Sequence, residues 1–189
     1  MKNGFKATLI LLMVTFFMSG CLLPEGLLPS CYLEDVPFYR QASDPLHLAT
    51  GIAMVMNYYE IDITPEEVDQ RLSGENSCWS CQLSQLAREN NLQIDLPYLS
   101  MEDIKTNLLH NIPLITILLN KTITDTSNQT RVIIGFNDYK NELILHDPSH
   151  NGGENTILTY QDFVLLLQST FGSNASACWV IKITPLESI

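Results

Sequence analysis

His47 to Tyr59 reads HLATGIAMVMNYY, and the apolar residues from Leu46 to Glu60 recur at helical spacing with almost no charge among them. Such a segment suits a helix buried at the centre of a domain, because a helix apolar on most sides has no face to give to water. Further helices follow it. Thr64-Pro65-Glu66-Glu67 offers a capping hydroxyl, a proline at the first helical position and a reciprocal glutamate, which predicts a helix from about Pro65 to Leu72. Gln82 to Asn90 is amphipathic, and Ser100 caps another helix running to Leu109.

Downstream the pattern becomes that of strands. Pro113 to Leu119 (PLITILL), Arg131 to Phe136 (RVIIGF), Glu142 to His146 (ELILH) and Ala177 to Thr184 (ACWVIKIT) are short runs rich in branched residues. Asn137 to Asn141 reads as a hairpin connection, Tyr160 to Gln168 as a helix before the last strand, and the polar run Asn120 to Thr130 as an exposed loop. Helices first and a largely antiparallel sheet second describe an α+β domain.

Composition narrows the partners. The chain has 10 Lys and Arg against 21 Asp and Glu, and without Lys2 and Lys6 its formal charge falls from −11 to −13. An acidic surface of this kind repels phosphate backbones, so nucleic acid is not an expected partner. Neither a cofactor nor a metal is called for by the spacing of the histidines and acids.

The first 20 residues look like an export signal: Lys2 and Lys6 precede the apolar run Ala7 to Met18, which is too short to span a bilayer. The run ends in Met18-Ser19-Gly20-Cys21, which resembles the lipobox of bacterial lipoproteins. That resemblance implies lipidation of Cys21 and a place in the cell envelope, at the outer membrane in a host with two membranes. Several acyl chains suffice for stable anchoring. Residues 21–34, including LLPEGLLPS from Leu22 to Ser30, then form a tether, and residues 35–189 a single folded domain.

Four other cysteines, Cys31, Cys78, Cys81 and Cys178, are disulfide candidates in an exported protein, and four allow three pairings. Cys78-Trp79-Ser80-Cys81 has the spacing of a redox motif but no thioredoxin-like βαβ context, which favours a structural role.

As a set, VPFYRQ at Val36 to Gln41, AMVMNYY at Ala53 to Tyr59, RVIIGF at Arg131 to Phe136 and LHDP at Leu145 to Pro148 resemble the papain-like bacteriocin-processing peptidases, which cut double-glycine leaders. The likeness spans about residues 35 to 185 and implies a papain-like fold with N-terminal helices packed on the sheet. Such an enzyme needs a thiolate at a helix start, where amides and the helix dipole favour the anion, and an imidazole on a facing strand. It also needs a group that orients the imidazole and a donor for the oxyanion. The resemblance assigns the oxyanion role to Gln41 and the orienting role to Asp147.

The nucleophile position falls on His47, six residues after Gln41, with Leu48 and Ala49 where glycine and proline are expected. The base position falls on Gln129 or Thr130, depending on register, and neither side chain is a base. Cys31 lacks a helix-start context, and His146, beside Asp147 on a strand, is expected to point to the other face. His110 and His150 fall at a helix end and in a loop.

The expectation is a degenerate site of Gln41, His47, Thr130 and Asp147 that persists as a cleft. Such a domain would bind a peptide or protein in the envelope, as an export or secretion accessory, without cutting it. Non-catalytic relatives in bacteriocin transporters imply a precedent for leader binding. An active hydrolase is the alternative, either cysteine-peptidase-like or using His47 as a base with Asp147. A structural accessory whose cleft is filled by its own side chains is a third.

Overall fold

The computed structural model describes residues 30–73, 78–121 and 126–186. The expected signal, Cys21 and most of the expected tether lie outside the described residues. Ser30 to Leu33, expected in the tether, belong to the fold, since Ser30–Tyr32 is a strand (β1) and Leu33 is buried. Among the described residues, no helix is long and apolar enough to cross a membrane.

The helix read from HLATGIAMVMNY is α1, His47–Tyr58, preceded by a single 3-10 turn at Asp44–Leu46. Ala49 to Met56 are all buried, which accounts for a segment with no charged side chain. Asn57 closes its end by donating to the carbonyls of Ala53 and Ile63. Local signals fix two other helices almost to the residue. Helix α2, Pro65–Leu72, carries the reciprocal Thr64 and Glu67 capping box. Helix α4, Met101–Leu109, carries the same device between Ser100 and Asp103. Between them α3 runs from Trp79 to Glu89, starting earlier than its amphipathic pattern because Cys78 serves as its cap. Helix α5, Tyr160–Phe171, precedes the last strand.

The other strands are β2 (Leu92–Asp95), β3 (Tyr98–Leu99), β4 (Leu114–Lys121), β5 (Thr126–Asn137), β6 (Glu142–His146), β7 (Thr156–Thr159) and β8 (Cys178–Pro185). They form an antiparallel sheet in the order β2-β8-β4-β5-β6-β7, with β1 beside β5 and β3 beside β8. The architecture is the expected α+β, helices against an antiparallel sheet.

The polar run expected as a loop is the main correction. Asn120 and Lys121 pair with Ser127 and Thr126, so the β4–β5 ladder continues well past the apolar part of either strand. Backbone pairing requires no apolar side chain, and the polar half of β5 brings Gln129 and Thr130 into the interior, where both are buried. Gly51 sets the spacing between α1 and this strand. A Cβ there would lie 2.5 Å from Thr130 Cγ2 and 3.7 Å from Val132 Cγ2, so only a bare backbone allows the helix this close.

Candidate functional site

Four elements meet where the sequence places its candidates: the lead-in from Val36 to Gln41, the start of α1, the buried part of β5, and the turn after β6. Leu46 stands at the cap position of α1 and makes no side-chain capping bond, and His47 is the first helical residue. From there the His47 Nδ1 lies 2.7 Å from Thr130 Oγ1 on β5. At the base position, where the sequence leaves Gln129 and Thr130 open, Thr130 is in hydrogen-bond contact with the first residue of α1. What the contact joins is an imidazole and a hydroxyl, half-buried and polar, with no thiol in it.

Asp147 is elsewhere engaged. Its Oδ2 accepts from Arg131 Nε at 2.9 Å and its Oδ1 from the Ser149 amide at 3.0 Å. Arg131 and Asp147 are both buried, with side-chain exposures of 9% and 8%, so this is an interior ion pair. The guanidinium is not fully used, because Nη1 is buried with no acceptor among the described residues. Gly152 is pressed against the same carboxylate: a Cβ there would fall 2.4 Å from Asp147 Cγ. The alternative reading pairs His47 with Asp147, whereas the hydrogen bonds of Asp147 run to Arg131 and Ser149. Thr130 and Arg131 are neighbours on a strand and point to opposite faces, and the acid follows Arg131.

Gln41 is buried, and its backbone amide donates to Pro148 O at 3.0 Å. Arg40 reinforces that contact by donating to the carbonyls of Ser149 and His150. His146 completes the join: its Nδ1 accepts from the Asn155 amide, which leaves Nε2–H to donate to Val36 O at 3.0 Å. Burial holds its imidazole below the ordinary value, in the neutral form this arrangement needs. His146 is thus a buried structural residue binding the lead-in to the sheet.

The remaining candidates disperse. Cys31 lies in β1, donates to Leu108 O, and has its thiol pKa raised by burial, the reverse of what a nucleophile requires. Cys178 is buried against Thr116, and burial pushes its thiol up to about 11. Neither forms a disulfide, whereas Cys78 and Cys81 are bonded to each other. Of the four disulfide candidates, only the local pair is joined. His110 sits exposed at the end of α4, next to Thr106 O, and His150 is exposed. Among the described residues, no three His, Cys, Asp or Glu side chains converge as metal ligands.

A concavity of about 810 Å³ opens at the far end of α1, lined in part by Asp35, Tyr59, His110 and Lys182, and includes none of Gln41, His47, Thr130 or Asp147. Sequence reasoning missed Arg131. A lone arginine beginning an apolar strand, sixteen residues before an Asp-Pro turn, was the available signal.

Comparison with known proteins gives the fold a context. The model of a family described as "Peptidase C39 like family" matches residues 33–170. A solved structure from Bacillus anthracis, described as a C39-like peptidase, has a TM-score of 0.60 at 16% identity, covering 82% of this chain and 97% of its own. The peptidase domain of Streptococcus ComA, a bi-functional ABC transporter of a quorum-sensing pathway, has a TM-score of 0.55 at 14% identity, covering 79% and 98%. A double-glycine-motif protease from an AMS/PCAT transporter, solved with its leader peptide, has a TM-score of 0.52 at 19% identity, covering 79% and 92%. At such identities the likeness is one of fold. No curated protein matches.

Proposed function

The chain belongs to the Peptidase C39 like family, and from that premise we propose that it is a non-cleaving member, held in the cell envelope by lipid on Cys21, that binds a peptide or protein. The observation that carries this reading is the pair at the mouth of α1. Where a cysteine peptidase places a thiol and an imidazole base, this chain has the His47 imidazole against the Thr130 hydroxyl, 2.7 Å apart. The thiol that does the cleaving in such a peptidase is missing from this pair: an imidazole is not a nucleophile for ordinary peptide cleavage, and the Thr130 hydroxyl is fully buried, away from any substrate carbonyl.

Asp147 supports the same reading. An acid that accepts from Arg131 on one oxygen and from the Ser149 amide on the other is tied to the turn after β6, and no hydrogen bond joins it to His47 among the described residues. A hydrolase using His47 as general base with Asp147 behind it is disfavoured on the same ground. The peptide ligand is suggested by the relative solved with its leader peptide.

A labelled double-glycine leader peptide tests the binding. It should bind saturably, and His47→Arg, which places a bulky cation at the helix mouth, should weaken binding about tenfold or more. Equal affinity in the variant, or no saturable binding, would remove the reading. Globomycin in the native host tests the anchor: the full-length precursor should accumulate, and normal processing under the drug would contradict lipidation.

A further inference from the structure

Away from α1, the Cys78–Cys81 bond occupies a position that a structural staple does not require. Both cysteines are exposed, and the link spans only three positions in sequence. A loop that short constrains the unfolded chain little, so the bond has a small part in holding the fold together. Its two sulfurs are not equivalent. Cys78 caps α3, and its Sγ accepts from the Cys81 amide at 3.1 Å, with Ser80 Oγ 3.4 Å away. Were the bond opened, charge on Cys78 Sγ would meet an amide donor, a hydroxyl and the positive end of an eleven-residue helix.

Of the other two described thiols, Cys31 is half-buried and donates to Leu108 O, and Cys178 is buried against Thr116. Trp79 follows Cys78 directly, is 36% exposed, and packs edge-on against Trp179 with ring centroids 6.0 Å apart. An accessible disulfide, a stabilised leaving sulfur and a partly exposed aromatic surface beside it occur at one place.

We propose that Cys78 and Cys81 are a redox-active pair that passes its disulfide to a polypeptide carrying a dithiol. A partner thiolate attacks Cys81 Sγ, the Cys78–Cys81 bond breaks, and its electron pair leaves on Cys78 Sγ. The partner's second thiolate then attacks the partner sulfur of the mixed disulfide and releases Cys81. The partner is oxidised by two electrons, the pair is reduced, and the two protons lost by the partner thiols are taken up by Cys78 and Cys81. Stabilising the reduced form makes the disulfide the more oxidising.

The test uses the full chain and a synthetic peptide with two cysteines. The pair should open in millimolar reduced glutathione while the far-ultraviolet circular dichroism stays native, with a reversible change in tryptophan fluorescence, since Trp79 and Trp179 are the chain's two tryptophans. At pH 6, iodoacetamide should alkylate reduced Cys78 about tenfold faster than Cys81. The oxidised protein should convert the peptide dithiol to its disulfide, and Cys78→Ser should abolish the transfer. A pair that opens only when the protein unfolds, equal alkylation rates, or a peptide left reduced would overturn the proposal.

Discussion

Thr130 and Arg131 are consecutive on β5, yet each belongs to a different half of the site. Thr130, on the face that packs against α1, meets His47 through a hydrogen bond between a hydroxyl and an imidazole. Arg131, on the other face, holds Asp147 in a buried ion pair at the turn after β6. A cysteine peptidase needs the base and its orienting acid on one another. Here the Arg131 guanidinium and the Ser149 amide hold the acid at the turn after β6.

Removing one partner of the buried pair should have the largest effect. Arg131→Leu leaves the Asp147 carboxylate uncompensated in the interior and should destabilise by about 3–5 kcal/mol, measured as a shift of the urea midpoint. Adding Asp147→Leu should recover much of that loss. If the single variant costs no more than a surface substitution, the pair is not the scaffold described.

Crowding the other half comes next. Gly51→Ala puts a methyl 2.5 Å from Thr130 Cγ2, and the overpacking should cost about 1–3 kcal/mol. Thr130→Ser, which lacks that methyl, should absorb part of the cost, so the double variant should fall below the sum of the singles. Strict additivity would mean that α1 and β5 do not meet as closely as this.

His47→Ala should matter less, since the hydrogen bond to Thr130 that it removes is worth about 0.5–1.5 kcal/mol. A much larger loss would give His47 a structural weight that its contact with Thr130 does not explain. The smallest effect is in pH. Burial lowers the His146 pKa below its ordinary 6.5, so the unfolded chain binds more protons than the folded one as pH falls below that value. Stability present above pH 6.5 should decline as the solution is acidified through the lowered folded pKa, and His146→Gln should flatten that decline in urea titrations. An unchanged slope would remove His146 from the join between the lead-in and the sheet.

What could be read in advance followed from how local each signal is. The capping boxes at Thr64 and Ser100 are written within four residues, and both helices start where those residues place them. The long apolar run of α1 could only be interior. By contrast β1, β2, β3 and β7 are two to four residues long, too short for any alternation to stand out from the chain around them, and their pairing with longer strands creates them. The polar half of β5 resembled a loop because its strand character is in the backbone ladder with β4.

In the site, the positions of Gln41, His47 and Asp147 were legible, whereas Arg131's claim on Asp147 was not. That contact depends on the β5–β6 register, which shifts between Ile133 and Gly135, and no spacing rule foretells such a shift.

The central claim, that the chain binds without cutting, is tested most directly by incubating the purified protein with a double-glycine leader peptide and weighing the products by mass spectrometry. The account predicts the peptide recovered at full mass, with and without added thiol. Cleavage after the double glycine that is lost in both Gln41→Ala and His47→Ala would contradict it.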